Sequence, residues 1–168
     1  PVVSGAEFLK AARKGGYAVG GYNTNNLEWT QAILEAAEAK KAPVLIQTSM
    51  GAAKYMGGYK VAKDMITNLV DSMNITVPVA IHLDHGDYEA ALECIEVGYT
   101  SIMFDGSHLP FEENLKLAKD VVEKAHAKGI SVECEVGSIG GEEDDPPVQV
   151  LPFASHSLPE RVRTHSGA

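Results

Sequence analysis

The sequence predicts an α/β fold built from parallel β-α-β units. Its candidate strands are almost wholly apolar, as strands covered on both faces are, and amphipathic helical patterns separate them. Alternation of strands and helices along a chain is typical of a parallel sheet. Five strands can be counted, whereas a closed (β/α)₈ barrel needs eight and about 250 residues. The 168 residues therefore predict either an open sheet or an incomplete barrel.

Local signals justify each element in turn. Asn26 can begin the second helix by accepting a hydrogen bond from its first turn, and Trp29, Ile33 and Ala37 supply that helix with apolar spacing. Gly98 ends the fourth helix, as a glycine often does. The predicted helices span residues 4–15, 26–41, 59–73, 88–97 and 111–128, and the predicted strands span residues 18–22, 44–46, 77–83, 101–104 and 130–136.

Composition excludes several classes of protein. Fourteen Lys and Arg against 23 Asp and Glu give a net charge of -9, which opposes binding to nucleic acid phosphates. No apolar run is long enough to span a membrane, and the first residues lack the features of a signal peptide. These observations predict a cytoplasmic protein without nucleic acid or membrane partners. Cys94 and Cys134 are predicted to be reduced packing residues.

Polar side chains follow the ends of the predicted strands. The carboxyl ends of parallel strands meet at one edge of a sheet, so these side chains should converge there. His82 and Asp84 share a face while their strand persists, and a turn at Gly86 is expected to release His85 over the rim. The full set comprises Asn23; Gln47, Thr48 and Ser49; His82, Asp84 and His85; Asp105, Ser107 and His108; and Glu133 and Glu135.

This set suits a metal site. Glu133 and Glu135 share a face, opposite Cys134 and Val136, which are predicted to pack against helices. Carboxylates pointing into a barrel are costly unless a cation or hydrogen bonds compensate, and imidazole beside carboxylates suits zinc. A histidine in an apolar strand is more often a hydrogen-bonded core residue, and an Asp near Gly is often turn chemistry. Convergence with Asp105 on the same rim favours the metal interpretation.

A glycine-containing segment, residues 51–58, is predicted to be a loop. Its backbone N–H groups could approach a phosphate. A turn without a ligand is the commoner case, and the spacing of a nucleotide-binding P-loop is absent.

Several motifs together resemble the class II fructose-bisphosphate and tagatose-bisphosphate aldolases. The resemblance covers about residues 1–145 and implies a (β/α)₈ TIM barrel with about five of its eight strands present. It also implies a dimer or tetramer that cleaves a ketose bisphosphate into two triose phosphates with a catalytic zinc. The motifs are GYN at 21–23, QTS at 47–49, HLDHG at 82–86, FDGSH at 104–108, ECE at 133–135 and GGEED at 140–144.

The resemblance implies roles for residues in catalysis and substrate binding. Asp84 would exchange a proton with the C4 hydroxyl of the sugar or with the aldehyde oxygen. Glu143 is the candidate for proton transfer at the carbon of dihydroxyacetone phosphate. Ser49 would contact the substrate near its glyceraldehyde phosphate part, and Asn23 would help to shape the site.

The resemblance also implies metal ligands. His85 would bind the catalytic Zn²⁺, and Asp105 and Glu135 would hold a second or alternative divalent cation. A bound cation suits this chemistry because cleavage of the carbon–carbon bond leaves an enediolate, whose charge a Lewis acid stabilises. A class I aldolase would instead use a buried lysine, and no lysine lies at the strand ends named above.

The last part of the sequence differs in character. Residues 1–145 are predicted to be the aldolase-like part, and residues 146–168 an irregular tail that holds four of the eight prolines. The family's last three strands and two further zinc histidines are not recognisable, which suggests a shifted reading frame or a premature end. This chain alone is therefore predicted to be inactive, and its unpaired fifth strand predicts self-association.

Three functions compete. The first is a fructose 1,6-bisphosphate aldolase, with tagatose 1,6-bisphosphate as the alternative substrate. The second is a non-catalytic half-barrel that binds a divalent metal or associates with itself. The third is an open-sheet phosphate-binding module, which is disfavoured because the strand ends carry HxDH and ExE rather than a glycine-rich phosphate motif.

Overall fold

Five parallel strands form one sheet whose order follows the chain. They appear in a computed structural model that describes residues 1–137. Within that range the first and last strands each pair with a single neighbour. The prediction of a parallel α/β fold is confirmed. The strands are β1 (Gly20–Asn23), β2 (Val44–Ser49), β3 (Val79–Gly86), β4 (Ser101–Phe104) and β5 (Ser131–Cys134).

Six helices lie in the described part of the chain. Five match the predicted ones closely, but residues 51–58 were wrongly predicted to be a loop. They contribute most of a short helix whose first turn is capped by Ser49, because the Ser49 side chain accepts a hydrogen bond from the N–H of Ala52. The helices are α1 (Gly5–Gly15), α2 (Leu27–Lys40), α3 (Met50–Met56), α4 (Tyr59–Ser72), α5 (Tyr88–Val97) and α6 (Phe111–His126).

Capping residues explain where the helices begin and end. The side chain of Asn26 accepts a hydrogen bond from the N–H of Trp29 at 2.8 Å, as predicted for α2, and Asp87 accepts one from Ala90 in α5. Gly98 follows α5 with φ of 93°, a left-handed conformation that costs glycine little because it has no Cβ.

The main core lies between the sheet and α2, α4, α5 and α6. Ile46, Ile81 and Phe104 contribute fully buried side chains from three neighbouring strands. Helix α2 presents Leu34 to this core, whereas Trp29 is 54% exposed. Of the apolar positions predicted for α2, Ala37 is in the core and Ile33 packs against it, whereas the placement of Trp29 on this face was wrong.

The two cysteines have different environments. Cys94 is buried in the main core, as predicted. Cys134 is an exposed free thiol, and Val136 is 64% exposed. The prediction that Cys134 and Val136 pack against helices was wrong. Strand β5 is at an edge of the described sheet and ends at Cys134. The alternation of side chains along this strand therefore did not show that helices cover the face on which Cys134 lies.

A smaller apolar cluster covers the other face of the sheet near the amino ends of the strands. Phe8 of α1 packs there against Leu45 of β2 and Ala80 of β3. The first residues also bond to the start of β3, with the N–H of Val3 donating to the carbonyl of Val79 at 2.8 Å. The polar residues lie at the opposite, carboxyl ends of the strands.

One carboxylate ties α2 to the loop before β3. Glu38 accepts hydrogen bonds from the N–H of Thr76 at 2.8 Å and of Val77 at 3.2 Å. Lys41 also donates to it. Hydrogen bonds from Lys41, Thr76 and Val77 lower the pKa of Glu38 to about 2, so this tie is made by the ionised carboxylate.

Candidate metal and proton-transfer site

A β-bulge near the end of β3 aims two polar side chains over the rim. Leu83 pairs with Ile102 of β4, and the next pair joins Gly86 to Phe104. Two residues of β3, Asp84 and His85, therefore span the length of a single residue of β4. His85 has φ of 48°, a left-handed conformation that is uncommon outside glycine and that often marks functional sites.

The bulge replaces the turn that was expected at Gly86. Gly86 belongs to β3, and its carbonyl accepts a hydrogen bond from the N–H of Asp105 at 2.9 Å. A methyl group at position 86 would lie 2.2 Å from Cδ2 of Leu83, which is fully buried. Glycine thus allows the chain to fold back onto Leu83 immediately after His85. His85 does point over the rim, but the cause is a bulge and not a turn.

Three potential metal ligands converge at this rim. Nδ1 of His85 lies 2.7 Å from Oδ2 of Asp105 and 3.7 Å from Oε2 of Glu135. One ligand atom from each residue can be chosen so that all three lie within 4.8 Å of one another. Ligand atoms at about 2.0–2.2 Å from a tetrahedral zinc are roughly 3.3–3.6 Å apart. The separation of His85 from Glu135 is close to this value, whereas His85 and Asp105 are nearer to each other and would have to move apart to share one divalent cation. The donor set fits such a cation.

The charges at this site favour a positive ion. The hydrogen bond to Asp105 raises the pKa of His85 above its ordinary value. Burial would raise the pKa of Asp105, but hydrogen bonds from Ser107 and His85 outweigh it and lower that pKa. Asp105 is further fixed by the N–H of Ser107, which donates to Oδ1 at 3.0 Å. Two carboxylates beside one imidazole suit a bound cation.

The three residues predicted to act beside the metal are held by hydrogen bonds. Nδ2 of Asn23 donates a hydrogen bond to Oδ2 of Asp84 at 2.7 Å, which fixes the direction of that carboxylate. Ser49 lies opposite Asp84 in the pairing of β2 with β3. Its hydroxyl accepts from Ala52 N–H, so it also caps α3.

A second polar layer lies below the rim. Nδ1 of His82 is 2.8 Å from the hydroxyl oxygen of Ser101, and its Nε2 is 3.9 Å from Oε2 of Glu133. Burial lowers the pKa of His82 to about 4, so the ring is neutral at neutral pH. His82 is thus a hydrogen-bonded core histidine, which is the commoner alternative considered from the sequence.

One predicted catalytic residue lies outside the described part of the chain. Glu143 and the GGEED motif at 140–144 lie outside residues 1–137, as does the predicted tail at 146–168. Their proposed roles and the predicted domain boundary stay predictions.

Sequence reasoning missed two buried polar residues that support the rim. Tyr99 places its hydroxyl 2.8 Å from Oγ1 of Thr48, and both side chains are buried. Asn114 is 4% exposed, and its Nδ2 donates to the carbonyl of Glu135 at 2.8 Å. A signal for Asn114 did exist, because an amide stands in α6 at helical spacing from the buried Val121 and Ala125.

Within residues 1–137, no helix combines the length and apolar character that crossing a membrane would require.

Comparisons with known proteins identify relatives of this chain. The fructose-bisphosphate aldolase of Streptococcus pneumoniae serotype 4 is 85% identical over 143 residues, which make up 85% of this chain and 49% of that protein. The fructose-bisphosphate aldolase of Geobacillus stearothermophilus is 57% identical over 145 residues, covering 86% of this chain and 50% of that protein. The chain thus spans about half the length of the curated relatives it matches.

A solved structure extends the comparison to the fold. The crystal structure of the YdjI aldolase from Escherichia coli K12 superposes with a TM-score of 0.74 at 31% identity, covering 82% of this chain and 53% of that one. This confirms the prediction of an incomplete aldolase barrel. The family model described as fructose-bisphosphate aldolase class-II matches residues 3–162, a range that includes the bulge and all three converging ligands. The chain belongs to the class II fructose-bisphosphate aldolase family.

Proposed function

We propose that this chain provides the metal-binding and first proton-transfer part of an active site that cleaves fructose 1,6-bisphosphate into dihydroxyacetone phosphate and glyceraldehyde 3-phosphate. The observation that supports it is the convergence of His85, Asp105 and Glu135 at the rim that also carries Asp84. The family is shown by the comparisons, and its chemistry needs a cation and a proton carrier close together.

The proposed cation is Zn²⁺, held by His85, Asp105 and Glu135. When bound, it supplies Lewis-acid stabilisation of the negative charge that develops on an oxygen of the substrate. The proton between His85 and Asp105 must leave for the metal to bind, so affinity should rise with pH. A second divalent cation would use the same carboxylates.

The proposed proton carrier is Asp84. Its carboxylate would take the proton of the C4 hydroxyl during cleavage and return it to the aldehyde oxygen in the reverse reaction. Asn23 donates to one carboxylate oxygen, so the other is the one available to the substrate. Ser49, across from Asp84 in the sheet, is proposed to contact the substrate, and Glu143 to move a proton at the dihydroxyacetone phosphate carbon.

Zinc binding to the purified, metal-free chain tests the metal part. Isothermal titration should give one site per chain that His85→Ala and Asp105→Asn weaken strongly. His126→Ala is the matched control because His126 is exposed at the end of α6, and it should leave the affinity unchanged. Equal zinc binding by all four proteins would contradict the proposed site.

A cleavage assay tests the catalytic part. Zinc-loaded chain is given fructose 1,6-bisphosphate or tagatose 1,6-bisphosphate, and glyceraldehyde 3-phosphate release is followed with a coupled dehydrogenase. Turnover that Asp84→Ala abolishes would support an active aldolase, and the ratio between the two sugars would identify the substrate. A folded, zinc-binding chain without turnover would instead support the non-catalytic half-barrel.

A further inference from the structure

We propose that Asn114 is a positioning residue that sets the place of Glu135 in the metal site. This inference rests on the proposed function, because it concerns the cation held by His85, Asp105 and Glu135. Asn114 itself lies on α6 and is not one of the three converging ligands.

Glu135 lies beyond the end of its strand. The pairing of β4 with β5 ends at Phe104 and Cys134, so the strand ladder does not extend to the residue whose carboxylate joins the metal group. Asn114 reaches it from α6, and Nδ2 donates to the Glu135 carbonyl at 2.8 Å. This hydrogen bond continues the restraint of the backbone one residue past the sheet.

The same amide also contacts the chain that follows Asp105. A methyl group on Gly106 would lie 2.3 Å from Oδ1 and 2.7 Å from Cγ of Asn114. Glycine at position 106 therefore makes room for the amide. The Asn114 side chain lies between the backbone just after Asp105 and the backbone at Glu135, and so between the two segments that carry the carboxylate ligands.

An asparagine at this position is otherwise unfavourable. It is the fourth residue of α6, where its side chain is not the N-cap, and asparagine is a weaker helix former than alanine or leucine. Its side chain is almost completely buried, which is costly for an amide unless hydrogen bonds compensate. The hydrogen bond to the Glu135 carbonyl provides that compensation. The amide therefore stabilises the backbone just beyond β5 rather than the helix.

Zinc affinity of the full 168-residue chain tests the inference. Asn114→Ala should raise the dissociation constant for Zn²⁺ about tenfold, the lower end of the range found when outer partners of metal ligands are removed. Asn68→Ala, an equivalent change at an exposed site of α4, is the matched control and should leave the constant unchanged. Circular dichroism verifies that each variant is folded.

A double-mutant cycle separates positioning from a general structural effect. If Asn114 acts through Glu135, adding Asn114→Ala to Glu135→Gln should change the remaining zinc affinity by less than about twofold. The reason is that Glu135→Gln has already removed the carboxylate that Asn114 would position. Added to Asp105→Asn, it should still weaken binding. If Asn114→Ala does not fold, Asn114→Leu keeps the approximate size of the side chain, removes the donor without adding a charge near the cation, and should weaken binding in the same way.

The outcomes are distinct. A wild-type chain that binds no zinc would overturn the proposed metal site and this inference with it. Wild-type affinity in a folded Asn114→Ala or Asn114→Leu chain would overturn this inference alone, as would an equal loss in the wild-type and Glu135→Gln backgrounds.

Discussion

Tyr99→Phe should lower the free energy of unfolding by about 1–2 kcal/mol, because it leaves the buried hydroxyl of Thr48 without its partner. The two oxygens are 2.8 Å apart, and the side chains are 1% and 0% exposed, so water cannot replace the lost bond without rearrangement. Thr48→Val should cost a similar amount for the reciprocal reason. Since Thr48 lies between Gln47 and Ser49, the pair anchors the end of β2 from behind the rim.

The magnitude follows from the cost of an unpaired buried group. A neutral hydrogen bond contributes about 0.5–1.5 kcal/mol net, and a buried polar group left unsatisfied costs about 1–3 kcal/mol. In Thr48→Val/Tyr99→Phe both hydroxyl groups are gone, so no buried polar group is left without a partner and the cost of such a group disappears. The double variant should therefore be about as stable as either single variant, which corresponds to a coupling of about 1–2 kcal/mol.

Urea unfolding followed by circular dichroism measures the cycle. With a slope of about 2 kcal/mol/M, each single change should move the midpoint by about 0.5–1 M. Tyr55→Phe is the matched control, because Tyr55 is 78% exposed and a surface change should stay within about 0.5 kcal/mol. A double variant that loses the sum of the two single losses would refute the coupling.

Two further changes address the bulge and the tie at α2. Gly86→Ala should destabilise the chain to urea by about 1–3 kcal/mol through overpacking, because the methyl would meet Leu83; Gly51→Ala, whose methyl would meet nothing closer than 4.0 Å, should not. Glu38→Gln should destabilise at neutral pH. Hydrogen bonds, first that from Lys41, lower the pKa of Glu38 from 4.5 to about 2, so its stabilisation is present above pH 4.5 and is lost as the pH falls towards 2. Denaturation experiments at pH 3 and pH 7 test this. If Glu38→Gln lowers the free energy of unfolding, relative to the wild type, as much at pH 3 as at pH 7, the expected pH dependence is contradicted.

Elements with local signals could be predicted from the sequence. Asn26 and Gly98 act at helix ends through their own side chain or backbone, so their effect depends on a few neighbouring residues. The convergence of His85, Asp105 and Glu135 was also predictable, because parallel strands bring their carboxyl ends to one edge whatever the details of packing.

Features that need a partner strand or helix could not be predicted. The bulge at Asp84 and His85 exists only relative to the register of β4, and that register is invisible in the sequence of β3. The position of Trp29 depends on which side of α2 the sheet lies. Helix α3 is a different case: Ser49 is a common capping residue, but the helix has only seven residues and contains a glycine, so propensity alone favoured a loop.

The bulge in β3 also bears on how this motif can be moved between proteins. Up to Leu83 the strand alternates normally, whereas Asp84 and His85 together take the place of one residue of the neighbouring strand. Grafting only the HLDHG letters onto a regular strand would restore the alternation and turn one of these two side chains away from the rim. A functional transplant would have to carry the two-for-one spacing, the left-handed backbone of His85, and the space around Leu83 that only glycine at position 86 leaves free.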